Sequence, residues 1–215
     1  MDHGPQEGQG EGVEALSDKE GDQTRVPDVE GVRTRLGKRT IVLVGMMGCG
    51  KSSVGRLLAN RLRLPFVDAD LEIEAAANLT IPEIFERHGE AYFRSGEHRV
   101  IVRLLGEGPQ VLATGGGAFM NPETRHSISG NGISVWLKAD FETLFARVSR
   151  RTHRPLLQTP DPAAVLRELL RKRNPIYEKA DVSVDSRDVP HEQVVSDIVN
   201  VLDDFMSAKD AGQDT

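Results

Sequence analysis

The stretch Gly45-Met46-Met47-Gly48-Cys49-Gly50-Lys51-Ser52 leaves this chain few ways to fold. It has the spacing G-x-x-x-x-G-K-[ST], follows the apolar run 40–44 directly, and opens a segment in which Val54, Leu57, Leu58 and Leu62 recur at helical spacing. Strand, glycine loop and amphipathic helix in that order form a cradle for an anion. The backbone turns its N–H groups inward at a helix N-terminus, and only glycine allows the close wrap at positive φ. The expected ligand of Gly48, Cys49, Gly50, Lys51, Ser52 and Ser53 is ATP, with Lys51 reaching its β- and γ-phosphates and Ser52 ligating a bridging Mg²⁺.

The rest of the chain punctuates itself in a matching way. Apolar strand signals at 40–44, 65–67, 111–114, 133–137 and 182–184 alternate with helical stripes, which predicts an α/β P-loop NTPase fold: a five-stranded parallel sheet flanked by helices on both faces. Thr80 and Glu83 form a capping box with Pro82 early in the helix, Gly89 signals a stop, and a new helix runs to about residue 105. Asp140 caps a helix burying Phe141, Leu144, Phe145 and Val148, and Val194 to Phe205 stripe the last one.

Charge is unevenly placed. Residues 1–31 carry nine acidic side chains against Lys19 and Arg25, so out of a formal charge of −6 the remainder is close to neutral. The expected organisation is a disordered acidic tail over 1–37, a domain over 38–206 and a frayed end over 207–215, because the tail has too little apolar surface to offset its ordering entropy. The domain is not basic enough to suggest nucleic acid, and no apolar run approaches the ~20 residues of a membrane span. One cysteine, Cys49, and no export signal point to a reducing cytoplasm.

Two further segments look like an acceptor site. Asp68 and Asp70 stand two residues apart at the end of the second strand. There they are expected to point the same way, one holding metal-bound water and the other accepting a hydrogen bond from an attacking hydroxyl. The plain alternative is that Asp70 caps the helix beginning near Leu71. Gly115-Gly116-Gly117 after the third strand is more glycine than a tight turn needs, and implies close approach of a ligand to backbone. That strand does not end in the aspartate usual for a translocating ATPase. Arg94 lies on a helix, Arg150 to Gln158 is an arginine-rich lid candidate closed by Pro160 and Pro162, and Arg171-Lys172-Arg173 adds cations at a helix end.

Taken in order, GMMGCGKSS, FVDAD, FRSGE, GGGA, RPLL and RNPIY resemble the shikimate kinases over residues 40–205. The resemblance implies a nucleoside monophosphate kinase-like fold, transfer of the ATP γ-phosphate to the 3-hydroxyl of shikimate, and a monomer working with Mg²⁺. It implies that Asp70 bonds the shikimate hydroxyls, that Asp68 sits near Mg²⁺ through water, and that Arg94 and Arg173 hold the carboxylate while Gly116 offers its N–H. It also implies that Arg154 bridges to ATP phosphates and that Arg147, with Arg187, lies against the adenine. A carboxylate acceptor fits the paired guanidiniums, whereas a neutral sugar would not need them. A gluconate or nucleotide kinase of the same fold, or a module that binds ATP without turnover, remains an alternative on the residues alone.

Overall fold

A computed structural model describes residues 28–149 and 159–211. Five parallel strands, β1 (Thr40–Val44), β2 (Phe66–Asp68), β3 (Val111–Ala113), β4 (Gly132–Lys138) and β5 (Val182–Asp185), form one sheet in the order β2-β3-β1-β4-β5. Every residue of β1 is buried, as befits a central parallel strand covered on both faces. Its register sets Leu43 against Ala113 on one side and Val135 on the other. The chain leaves β1 with neighbours connected in opposite directions, and the crevice beyond its carboxyl end is where open α/β sheets bind ligands.

The helices are α1 (Val29–Leu36), α2 (Lys51–Leu62), α3 (Ala69–Ala77), α4 (Ile81–Leu105), α5 (Pro122–Asn131), α6 (Phe141–Ser149), α7 (Pro162–Tyr177) and α8 (His191–Ala211). The α4 capping box forms as the residue types require: Thr80 N–H donates to Glu83 Oε2 at 2.8 Å, and Glu83 N–H donates to Thr80 Oγ1 at 3.4 Å. Gly89, with φ 77° and ψ 175°, breaks α4 where the stop was expected, and the axis resumes beyond it. Asp140 Oδ1 accepts from Thr143 N–H at 2.6 Å and starts α6. Among the described residues no helix is long and apolar enough to cross a membrane.

Two expectations need correction. The tail expected through residue 37 ends in a helix. Asp28 accepts from Gly31 N–H at 2.8 Å, Val32 and Leu36 are buried, and Arg35 pairs with the buried carboxylate of Asp203 on α8. Its apolar residues are few but lie at i, i+3 and i+7, which a composition average hides. Residues 1–27 lie outside the described set. At the other end α8 runs to Ala211, so residues 207–211 are helical; their exposed side chains give no apolar signal. Pro162 opens the first turn of α7, capped by Asp161, whose Oδ1 accepts from Ala164 N–H at 2.9 Å, so the irregular stretch ends there.

Candidate active site

The glycine loop joins the carboxyl end of β1 to α2. Gly50 is the residue before the first helical turn and sits at φ 96°, so the loop depends on backbone that side-chain-bearing residues rarely adopt. Gly48 is tight as well as left-handed: a Cβ there would lie 2.7 Å from Val148 Cγ1, which presses the loop against α6. Lys51, 9 % exposed, donates from Nζ to the carbonyl oxygens of Gly45 at 2.8 Å and Met46 at 3.0 Å. Cys49 is fully buried, and its contribution is backbone: its carbonyl accepts from Ser186 Oγ at 2.7 Å.

Asp68 and Asp70 do not share a strand face. Asp68 ends β2 and caps α3, accepting the Asp70 N–H on Oδ1 at 3.2 Å, so the cap is Asp68 and not Asp70. Its other oxygen accepts from Ser52 Oγ at 2.7 Å, which ties β2 to the glycine loop. Asp70 lies in the first helical turn and turns the other way: a Cβ on Gly115 would be 2.8 Å from its Oδ1. The two carboxylates divide between the two halves of the crevice, with Asp68 at the phosphate loop and Asp70 at the triple-glycine loop.

The triple-glycine loop is where the acceptor-side residues meet. Gly116 approaches the phosphate loop so closely that an added Cβ would lie 3.3 Å from Met47 N and 3.6 Å from Gly45 O. Its carbonyl accepts from Arg173 Nη1 at 3.2 Å and from the Tyr177 hydroxyl, both on α7. A Cβ at Gly117 would meet the Arg94 guanidinium at 2.6 Å, and one at Gly115 would meet Glu97 Oε1 at 2.8 Å. Gly115 and Gly117 thus lie against charged side-chain ends and Gly116 against phosphate-loop backbone, so a methyl group at any of them would displace a neighbour.

Arg94 and Glu97, one turn apart on α4, form an ion pair at 2.7 Å, and Arg94 also reaches Glu90 at 3.2 Å. Glu97 is 2 % exposed, and among the described residues its Oε1 has no hydrogen-bond partner. Burial pushes its carboxyl above the usual range; Arg94 opposes that shift, Asp70 adds to it and Arg173 opposes it. Burial works to lower the Arg94 value, but Glu97 and Glu90 together raise it, so the guanidinium stays charged. Burial likewise pushes the Tyr177 phenol well above its ordinary value and keeps it a donor.

On the nucleotide side Arg147 donates to Ser186 Oγ at 3.0 Å and to the Arg187 carbonyl at 2.8 Å. Ser186 thereby links α6, the turn after β5 and the Cys49 carbonyl. The Arg187 guanidinium pairs with Asp197 of α8 at 2.9 Å, and its carbonyl faces Arg147. Arg154 lies outside the described residues, as does the rest of the segment 150–158 in which a lid is expected.

The structure thus brings together Gly48, Cys49, Gly50, Lys51, Ser52, Asp68, Asp70, Arg94, Gly115, Gly116, Gly117 and Arg173 around one crevice. Ser53 follows Ser52 on the exposed side of the first turn of α2. Sequence reasoning gave no role to Glu97, Tyr177 or Ser186. Glu97 had a visible signal, a carboxylate falling among the buried positions Phe93, Ile101 and Leu104 of α4; Ser186 had none.

The donor set fits a magnesium ion. Ser52 Oγ and Asp68 Oδ2 are hard oxygen ligands side by side, and among the described residues no three His, Cys, Asp or Glu side chains cluster to hold an ion alone. Such an ion would complete its shell from phosphate and water, the usual habit of Mg²⁺.

Comparison with known proteins agrees with this geometry. The family model for shikimate kinase matches residues 47–203. A shikimate kinase of Bradyrhizobium diazoefficiens is 57% identical over 182 residues, covering 85% of this chain and 88% of its own; that of Rhodopseudomonas palustris is 56% identical over 184, covering 86% and 91%. Among solved structures, the shikimate kinase of Acinetobacter baumannii in complex with shikimate superposes with a TM-score of 0.73 at 38% identity, covering 78% of this chain and 94% of that one.

Proposed function

The chain belongs to the shikimate kinase family, and from that premise we propose how its own residues carry the reaction. The enzyme transfers the γ-phosphate of ATP to the 3-hydroxyl of shikimate, giving shikimate 3-phosphate and ADP, a step toward chorismate and the aromatic amino acids. The observation that supports the assignment of roles is the close approach of Gly116 to the phosphate loop, where an added Cβ would lie 3.3 Å from Met47 N, because it sets the two loops side by side.

In this reading Arg94 and Arg173 grip the shikimate carboxylate from the two sides of the triple-glycine loop, and Gly116 N–H and its neighbours Gly115 and Gly117 line the ring. Asp70 accepts the hydrogen bond of the attacking hydroxyl, aligns its oxygen with the γ-phosphorus, and takes its proton as the P–O bond forms. Lys51 leaves the Gly45 and Met46 carbonyls for the β- and γ-phosphate oxygens, and Arg154 joins it there. Two cations then face the charge that spreads over the transferring group. Gly48, Cys49, Gly50, Ser52 and Ser53 supply backbone and hydroxyl contacts to the phosphates. Ser52 and Asp68 would hold Mg²⁺, which neutralises phosphate charge when bound. Arg147, with the Arg187 backbone, borders the purine.

Both halves of the crevice come from one chain, which supports a monomer as the working unit. The lone, buried Cys49 suits the cytoplasm.

The test is ADP release by the full chain with ATP and Mg²⁺, with shikimate, gluconate and nucleoside monophosphates as acceptors side by side. Turnover with shikimate alone is expected. Turnover with another acceptor and none with shikimate would overturn the role given to Arg94 and Arg173.

A further inference from the structure

Phe119 has two neighbours of different kinds. It stacks on Tyr177 with centroids 6.4 Å apart, and it walls a cavity of about 240 Å³ shared with Arg125, His126, Ser134, Lys179 and Asp181. None of these residues belongs to the crevice described above. We infer that this cavity is a second binding site, for a small carboxylate that carries a hydroxyl or ammonium donor.

The chemistry follows from how the polar groups are held. Arg125 Nη1 donates to the carbonyls of Phe119 at 2.7 Å and Met120 at 2.9 Å, which fixes the guanidinium in the wall with Nε and Nη2 outside those bonds. Lys179 adds a second cation, exposed and on the turn after α7. A guanidinium beside an ammonium takes a carboxylate well. Asp181 sets the other requirement. Its Oδ2 accepts from Ser134 N–H at 2.8 Å and Ser134 Oγ at 2.6 Å, which pins the group and leaves Oδ1 outside those bonds. A ligand bearing negative charge alone would meet that carboxylate without a donor to offer it. One with a hydroxyl or ammonium beside its carboxylate satisfies both walls. The volume suits a molecule of amino-acid size.

The site is joined to the acceptor loop at both of its anchors. Arg125 holds the carbonyls of the short 3-10 turn Ala118–Met120, which continues directly from Gly115–Gly117. Lys179 and Asp181 follow Tyr177, whose hydroxyl holds the Gly116 carbonyl. A ligand that draws Arg125 and Lys179 together moves the turn that continues from Gly117 and the segment that follows Tyr177, and so changes the KM for shikimate more than kcat. This kinetic consequence rests on the proposed function, whereas the binding does not.

Two sources offer this chemistry, a free amino acid and shikimate itself. Backbone amide shifts of the ¹⁵N-labelled full chain separate them. L-Serine is expected to move the amides of Ser129, Ser134 and Lys179 in a saturable way in the range of about 1 mM, with propionate, which lacks the donor, weaker. Lys179→Ala is expected to weaken L-serine by about tenfold and Lys179→Arg to restore it, with kcat in the absence of L-serine unchanged. If shikimate is the occupant, it moves the same amides in a second phase that Lys179→Ala removes, and that result supports the site equally. Shifts confined to 115–117, shifts of equal strength with propionate, or indifference to Lys179→Ala would each overturn the inference, whatever the kinase assay shows.

Discussion

Arg173 and Tyr177, one turn apart on α7, donate to the same acceptor, the carbonyl oxygen of Gly116. A single helix face therefore sets the orientation of the peptide that separates the phosphate loop from the acceptor pocket. Arg173 is half-buried, while Tyr177 is buried among Met46, Trp136 and Phe119.

Tyr177→Phe removes one of those two donors and keeps the ring packing. Losing one hydrogen bond of this kind costs about 1 kcal/mol of stability. The expected kinetic result is a KM for shikimate raised several-fold with the KM for ATP little changed, measured by ADP release at varied concentrations of each. An equal rise in both would place Tyr177 outside the support of the acceptor loop.

Glu97 makes a pH-dependent prediction. Burial holds its carboxyl above the ordinary value in the folded chain. Its contribution therefore favours folding below the unfolded-state value and is lost as pH rises through the folded one. Glu97→Gln abolishes that titration, so its Tm relative to the native chain should improve steadily from about pH 4 toward neutrality. A Tm difference that stays flat over this range would refute the shift. The same variant deprives Arg94 of its charged partner at 2.7 Å, and a raised KM for shikimate is expected with it.

The divided aspartates predict divided phenotypes. Asp68→Asn weakens an oxygen ligand beside Ser52, so the Mg²⁺ concentration giving half-maximal rate should rise while saturating Mg²⁺ restores much of the activity. Asp70→Asn should lower kcat at every Mg²⁺ concentration, because no added ion replaces a group that orients the attacking oxygen. Lys51→Ala is expected to lower kcat by about a thousandfold, the scale of losing a charge clamp in phosphoryl transfer. Rescue of Asp70→Asn by Mg²⁺ would mean that the two roles have been exchanged.

Truncation separates the first helix from what precedes it. A chain beginning at Gly37 lacks the buried Val32 and Leu36 and the ion pair of Arg35 with Asp203. Its Tm should fall by several degrees relative to a chain beginning at Asp28. Equal Tm values for the two would show that α1 adds nothing to the domain.

How much of this was readable from residues alone differs from one part of the site to another. The glycine loop was legible in full, because its spacing and the strand and helix around it are all local. The placement of Asp68 and Asp70 was legible as to neighbourhood but not direction. Period-two alternation holds only inside a strand, and β2 ends at Asp68, so Asp70 follows helical geometry instead. Nor did any local pattern reveal that Asp197, ten positions on, pairs with the Arg187 guanidinium.

The sequence by itself determined the phosphate cradle, the alternation of strands and helices and the residue types of the acceptor pocket, since each depends on contacts within a few positions of chain. Tertiary structure decided which groups face one another. Gly116 meets Met47, Glu97 is sealed against Gly115, and Ser186 closes on Cys49 across 137 positions of sequence. Pairings between distant segments are fixed by how helices pack over a twisted sheet, and no local propensity encodes that packing.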